Sequence, residues 1–115
     1  MALFIAGAAC ISPQPSFGDE GLAALRVVAG AESLHAVEPD YREIFPPAQL
    51  RRFSRISRMA VAAARRAVER TGRPGVDAVI TGTGLGCFSE AEKFLDAVRD
   101  RGEELLNPSV FIQST

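Results

Sequence analysis

Several residue types that carry chemistry are scarce in this sequence, and their scarcity argues against whole classes of site. The 115 residues include two cysteines and one histidine. Cys10 and Cys87 lie on separate apolar segments without metal-ligand spacing, and a reducing cytosol fits them better than a structural disulfide. His35 has no partner at a spacing typical of metal binding or catalysis, so we expect a surface loop residue. The sequence therefore predicts no metal site.

Net charge and long apolar runs are also limited. The formal net charge is −1, which predicts no general attraction to nucleic acid or to membranes. The N-terminus has no basic segment, and its apolar run breaks at Ser12-Pro13. This run is too short for a signal peptide or a membrane span, so we expect a cytoplasmic protein.

What is present is the composition of an ordinary globular chain. Hydrophobic residues make up 47% and charged residues 23% of the sequence. Its length allows one domain or less, which should bury about two-thirds of the surface that the unfolded chain exposes. There are no internal repeats and no low-complexity tracts.

Two short apolar runs, residues 2–11 and 76–81, are typical of strands buried on both faces. Proline and glycine punctuate residues 14–48, which we predict to be irregular. Within them, residues 20–29 fit a short helix or a strand equally well. Two fully buried strands need neighbours on both sides, so we expect the rest of the sheet to come from elsewhere.

Helical periodicity is clearest at residues 48–71, which end in a glycine cap at Gly72 followed by a proline. A second helix is predicted from residue 90 to about residue 105, opened by a capping box. Residues 108–115 look extended. The capping box consists of Ser89 and Glu92. The residues predicted to face inward on the first helix are Leu50, Phe53, Ile56, Ala60, Ala63, Ala64, Ala67 and Val68. Alternating elements of this kind predict an α/β layer with a largely parallel sheet.

A glycine-rich turn joins the second apolar run to the second helix. Gly82, Gly84 and Gly86 lie where a phosphate-binding loop would lie, but the third glycine comes one residue too early for the dinucleotide fingerprint. No lysine follows as a Walker-type loop requires. The spacing favours a structural role, a sharp turn close to a neighbouring backbone, over phosphate binding. Cys87 precedes a helix N-terminus, where a reactive thiol could lie, but it lacks a base and is interpreted as structural.

Arginine is concentrated in one helical window. These residues lie close enough on the helix to share a flank. One interpretation is a solvated face that pairs with local acids, and the other is a docking site for an acidic partner. Nucleic acid is disfavoured because aromatic residues are not interleaved. The window holds 8 of the 13 basic residues of the chain, namely Arg51, Arg52, Arg55, Arg58, Arg65, Arg66, Arg70 and Arg73.

Four segments, in order, resemble the N-terminal part of a β-ketoacyl-acyl carrier protein synthase, or ketosynthase. Residues 3–13 resemble the first strand and its Ser-Pro turn, and residues 51–64 resemble a helix with a basic start and an alanine-rich body. Residues 80–86 are similar to the glycine turn after the second strand. Residues 108–115, which end Phe-Ile-Gln-Ser-Thr, are similar to the segment that leads into the acyl pocket.

The resemblance implies an α/β fold, part of the thiolase-like αβαβα layered architecture and incomplete in this chain. Residues 1–115 would be the N-terminal segment of the ketosynthase N-terminal domain, with residues 14–48 as a variable loop region. The implied reaction is decarboxylative Claisen condensation of acyl and malonyl thioesters in fatty-acid or aryl-polyene biosynthesis, with no metal or other cofactor. The nucleophilic cysteine and two histidines of the family lie beyond this segment, so neither Cys87 nor His35 is expected to be catalytic.

The resemblance also implies partners. Ketosynthases dock an acidic acyl carrier protein on a basic patch that includes the start of the arginine-rich helix, and the matching positions are Arg51 and Arg52. A tight dimer is implied, completed by the remainder of the ketosynthase or by a second ketosynthase-like subunit. A short loop at residues 14–47 and the absence of the usual Trp and Ser-Gly-Ile signals resemble a divergent bacterial branch associated with aryl polyenes.

Two alternatives stay open. Some members of that branch lack the nucleophile, so the chain fits a non-catalytic subunit of the same fold, similar to a chain-length factor. It also fits a small stand-alone α/β module that binds a phosphate ligand at the glycine turn.

Overall fold

Among the residues that the structure describes, helices supply the regular structure, and long segments outside them are irregular. The computed structural model describes residues 2–20, 23, 25–30, 33–101 and 107–114. Residues 25–30, part of the segment predicted as either helix or strand, have no regular structure, while residues 21, 22 and 24 lie outside the described residues. The helices are α1 (Pro47–Leu50), α2 (Arg55–Thr71), α3 (Phe88–Arg101) and α4 (Pro108–Ser114).

The longest helix, α2, has well-defined signals at both ends. The Ser54 hydroxyl accepts a hydrogen bond from the Ser57 N–H at 3.2 Å, which satisfies one of the free amides of the first turn. Gly72 adopts the left-handed conformation with φ of 67°, and its N–H bonds to the Glu69 carbonyl. The predicted glycine cap is confirmed. Residues 48–71, however, do not form one helix, because a turn at residues 51–54 separates α1 from α2.

A small aromatic cluster packs beside α2. Phe45, which is 3% exposed, meets Phe53 edge to face with ring centroids 5.5 Å apart. The Tyr41 ring lies 6.3 Å from Phe45 on another side, and the Arg65 guanidinium lies 5.7 Å from the Phe45 ring centroid. Aromatic pairs and cation–π contacts of this geometry stabilise the folded state beyond what the burial of apolar surface contributes.

The inward face of α2 differs from the predicted stripe. Ala62, 1% exposed, is the buried residue of the helix. Ala60 and Ala64, both predicted inward, are exposed, and Ile56 is 40% exposed. Ala63, Ala67 and Val68 are half-buried. In an alanine-rich helix several faces have similar bulk, so apolar spacing alone did not identify the packed face.

The predicted α/β fold is wrong for the described residues, which contain helices but neither strand nor sheet. Residues 2–11 and 76–81 make no backbone-to-backbone hydrogen bond with any described residue. A strand exists only through bonds to a neighbouring strand, and no described segment supplies one. The apolar side chains of both runs are largely exposed, with Phe4 at 87% and Ile80 at 98%. The thiolase-like layered architecture is therefore not the fold found here.

The chain exposes far more surface than a folded monomer of its size. Its accessible surface is 9403 Å², against about 6,100 Å² expected for a folded monomer of this mass. The unfolded chain would expose about 17,800 Å², so about half is buried instead of the expected two-thirds. The radius of gyration is 17.4 Å, compared with about 13 Å for a compact domain of this length. Much apolar surface is left uncovered.

The segment 108–114, predicted to be extended, is instead helical. Its Phe111 ring lies 5.4 Å from that of Phe94 on α3, and α4 packs against α3. The helix places Phe111 against Phe94. A run of seven residues is too short for its apolar spacing to distinguish a helix from a strand, so the sequence did not predict this contact.

The start of α3 also differs from the prediction. Ser89 lies inside the first turn, whereas the Cys87 carbonyl accepts the N–H groups of Glu90 and Ala91, both at 3.0 Å. The capping box of Ser89 and Glu92 is therefore not at the helix start. The structure describes α3 as far as Arg101. The predicted end near residue 105 falls outside the described residues. Within the described ranges, no helix combines the length and apolarity needed to cross a bilayer.

Candidate functional site

The arginines of α2 bind the chain's own backbone and carboxylates. A guanidinium group presents several donors at the end of a long side chain, so it reaches carbonyl groups on irregular neighbouring segments. These bonds connect the helix to residues 8, 18, 19 and 44, and the arginine face is therefore engaged internally along part of its length. They run from Arg65 to the Ile44 carbonyl, from Arg66 to the Asp19 carboxylate, and from Arg70 to the carbonyls of Ala8 and Gly18.

A charged triad lies at the beginning of α2. Arg55 Nε donates to Glu38 Oε1 at 2.6 Å, and the Tyr41 hydroxyl donates to Glu38 Oε2, also at 2.6 Å. Partial burial raises the pKa of Glu38, but the bonds from Tyr41 and Arg55 outweigh burial and leave that pKa below its usual value. Burial, followed by the bond to Glu38, raises the pKa of Tyr41. Glu38 is therefore held as a carboxylate.

The two arginines predicted to dock a carrier protein lie in the turn between α1 and α2. Arg51 and Arg52 are both exposed. Arg58 reaches back across this turn, donating from Nη2 to the Leu50 carbonyl at 2.8 Å and from Nε to the Phe53 carbonyl at 3.1 Å. Its guanidinium thus ties together the residues on either side of the exposed pair, which fixes the turn that presents them.

The beginnings of α2 and α3 meet at a single polar contact. Ser54 Oγ lies 3.3 Å from Cys87 Sγ. Cys10 and Cys87 are both free thiols, and His35 is exposed. Over the residues that the structure describes, no group of three or more histidine, cysteine or acidic side chains is placed to hold a metal ion. The Ser54–Cys87 contact positions two helices and has no base beside it.

The glycine-rich turn has one residue that requires glycine. Gly86 has φ of 57°, and its N–H bonds to Thr83 Oγ1 at 2.9 Å. A side chain at Gly82 or Gly84 would meet no atom within 4 Å. The sharp turn expected here is present at Gly86, but the close backbone approach expected here is absent from Gly82 and Gly84.

A cleft opens between the start of α2 and the first turns of α3, and we refer to it as the α2–α3 cleft. Its volume is about 370 Å³, within the range of small-ligand pockets. It brings together two arginines of the predicted basic window and a lysine on another helix. No sequence spacing relates the lysine to the two arginines, because only the approach of the two helices places them side by side. The lining residues are Phe53, Ser54, Arg55, Arg58, Glu90, Lys93 and Ala97.

A second, smaller cleft of about 220 Å³ adjoins the glycine turn. It shares two residues with the α2–α3 cleft, but most of the others are apolar. Arg55 is its one cation, faced by the Glu90 carboxylate. The lining residues are Arg55, Ile56, Met59, Leu85, Gly86, Phe88, Ser89 and Glu90.

No family model matches this chain, and no curated protein and no solved structure matches it either. The likeness to ketosynthases therefore rests on its sequence motifs.

Proposed function

We propose that this chain is the N-terminal part of a ketosynthase-type condensing enzyme and that it docks acyl carrier protein through Arg51 and Arg52. The condensation of acyl and malonyl thioesters would be catalysed by groups that lie outside this chain.

One observation carries the docking proposal. Arg51 and Arg52 are exposed on a turn that Arg58 ties at both ends, at Leu50 and Phe53. A basic pair on a fixed turn suits an acidic partner, because complementary charges accelerate encounter and favour one orientation.

A further partner is supported by exposed apolar surface. Side chains of the two apolar runs stand in solvent, with Leu3 and Ile5 at 88% and 90% exposure. Surfaces of this kind usually mark contacts with another polypeptide. We assign that role to the remainder of the condensing enzyme or to a second ketosynthase-like subunit, and we place both in the cytoplasm.

The docking proposal is tested by binding the full chain to an acidic acyl carrier protein at two salt concentrations. We expect the double substitution R51E/R52E to weaken binding about tenfold or more, because like charges then face each other. The salt dependence of the remaining affinity should flatten. Fluorescence anisotropy with a labelled carrier protein measures both quantities.

A matched control separates docking from net charge. The double substitution R26E/R73E changes the charge by the same amount at two other exposed arginines. It should reduce affinity much less than R51E/R52E. Equal losses in the two variants, or no loss in R51E/R52E, would overturn the assignment.

A further inference from the structure

We infer that the α2–α3 cleft binds a small phosphorylated organic molecule through Lys93, Arg55 and Arg58. The inference is independent of carrier-protein docking, which involves the exposed turn at Arg51 and Arg52. It also differs from phosphate binding at the glycine turn, where Arg55 is the single cation of the adjoining cleft.

The cleft is electropositive. Three of its lining side chains are cationic and one, Glu90, is acidic, and the Glu38 carboxylate outside the lining pairs with Arg55, so the cations exceed the acids by one. Arg55 contributes its Nε to Glu38, and Arg58 contributes Nε and Nη2 to backbone carbonyls, so both guanidinium groups are held in place beside the cleft. A cationic wall whose members are already fixed loses little conformational entropy when an oxyanion binds.

Lys93 is the least committed of these cations. It is the only lysine of the sequence, and its side chain is exposed. Among the described residues, none forms an ion pair or a hydrogen bond with its ammonium group. An ammonium beside two guanidinium groups is typical of sites that bind phosphate, with arginine donating in a fork and lysine acting as a point charge. The first turn of α2 has no acidic residue that would neutralise its positive end.

Apolar residues complete the lining and indicate more than free phosphate. Phe53 and Ala97 contribute carbon surface to the cleft. The cleft volume is about 370 Å³, whereas one water molecule takes up about 30 Å³ of the liquid. The cleft is therefore larger than one phosphate ion needs. The chemistry therefore fits a phosphate monoester with an apolar or aromatic substituent.

The test uses the single lysine as a reporter. Reductive ¹³C-methylation labels Lys93 and the N-terminal amine, and the two signals are distinguished in the K93R variant, which removes one of them. Phenyl phosphate and inorganic phosphate are titrated into the labelled full chain. We expect the Lys93 signal to shift with both ligands and phenyl phosphate to bind more tightly. No shift of the Lys93 signal would overturn the inference.

Substitutions then locate the site. K93Q should weaken phenyl phosphate binding about tenfold, as expected for loss of a charge-assisted contact, and E90Q should strengthen it. R99Q removes a cation from α3 that is paired with Asp96 and Asp100 and does not line the cleft, so it should leave affinity unchanged. Equal losses in K93Q and R99Q would indicate non-specific charge attraction and contradict the site. Equal affinity for inorganic and phenyl phosphate would contradict the organic ligand.

Discussion

The surroundings of α2 and the two apolar runs show opposite relations between sequence and burial. Around α2, the chain is held by long polar side chains that reach carbonyl and carboxylate oxygens. In residues 2–6 and 76–81, apolar side chains that normally drive folding are exposed to water. In most globular chains the apolar segments form the core and arginines lie at the surface. Here arginines connect the irregular segments to α2, and the side chains of residues 2–6 and 76–81 are exposed.

The reason lies in what each group needs to be satisfied. A guanidinium satisfies a lone backbone carbonyl without a regular element on the other side, so it stabilises irregular chain. An apolar extended run needs two covered faces and a bonded neighbour. No described segment gives either run a bonded neighbouring strand, and residues 2–6 and 76–81 are exposed. The same sequence therefore contains one region that is held by local partners and another whose apolar side chains no described segment covers.

The largest expected contrast comes from removing the same side chain in each region. Phe45→Ala deletes a buried ring that touches Phe53, Tyr41 and Arg65, and should lower the free energy of unfolding by about 3 kcal/mol. Phe4→Ala removes a ring that is 87% exposed and should change it by less than about 0.5 kcal/mol. Urea unfolding followed by circular dichroism of the helices measures both. Similar losses in the two variants would show that the first run is covered after all.

A smaller contrast is expected at two glycines. At Gly7 an added methyl group would lie 2.9 Å from Thr71 Cγ2 and would collide with the Ala67 carbonyl oxygen, whereas at Gly82 it would meet nothing within 4 Å. Gly7→Ala should therefore cost about 1–3 kcal/mol by pushing the N-terminal segment away from α2. Gly82→Ala should be neutral within about 0.5 kcal/mol. Hydrogen exchange at the C-terminal turns of α2 reports the difference.

If Gly7→Ala leaves exchange at these turns unchanged, the N-terminal run is not packed on α2. The first apolar run would then make no close contact with α2 at Gly7.

Helices α2 and α3 and the C-terminal cap of α2 could be predicted from sequence, because their signals are local, whereas α4 was predicted to be extended. Ala-rich periodicity and the glycine at position 72 act within a few residues. The two predicted strands were wrong, because apolar content indicates only that a segment needs to be covered and not that it pairs with another strand. Whether residues 2–11 pair with anything is decided by distant chain, and no described segment provides the pairing.

The candidate sites divide along the same line. Arg51 and Arg52 were predicted as a docking pair, and that role stays a prediction. Pairing of the arginines with local acids was one of the two interpretations of the sequence, and Arg66 does pair with Glu69. The anchoring role of Arg65 and Arg70 was not predicted, because their acceptors are backbone carbonyls, which leave no mark in sequence. Lys93 was missed since its neighbours across the cleft belong to another helix.

Breaking one arginine anchor should have a moderate and local effect. Arg70→Gln removes the hydrogen bonds to the carbonyls of Ala8 and Gly18, which should cost about 1–2 kcal/mol. Limited proteolysis should then cut residues 8–18 faster. Arg99→Gln, which loses ion pairs that are exposed on α3, should leave both stability and cleavage near the original values. Equal cleavage rates for the two variants would mean that arginine anchors do not hold the irregular segment.

The smallest effect is expected from pH, through Glu38. Its pKa lies below the reference value of 4.5, because hydrogen bonds from Tyr41 and Arg55 outweigh the opposing effect of burial. The folded state therefore favours the carboxylate, and the stabilisation is fully present above the pKa of the unfolded chain. It is lost as pH falls through the lower pKa of the folded state, when Glu38 binds a proton in both states.

Glu38→Gln should therefore lower the urea midpoint most at about pH 7, and the gap from the original chain should narrow between about pH 5 and pH 3. Glu92→Gln, which alters an exposed carboxylate on α3, should leave the acid dependence as it was. A gap that stays constant with pH would show that Glu38 supports α2 through packing alone. A narrowing gap would show that the carboxylate bound to Arg55 contributes, which extends the polar organisation of this region from α2 to residues that precede α1.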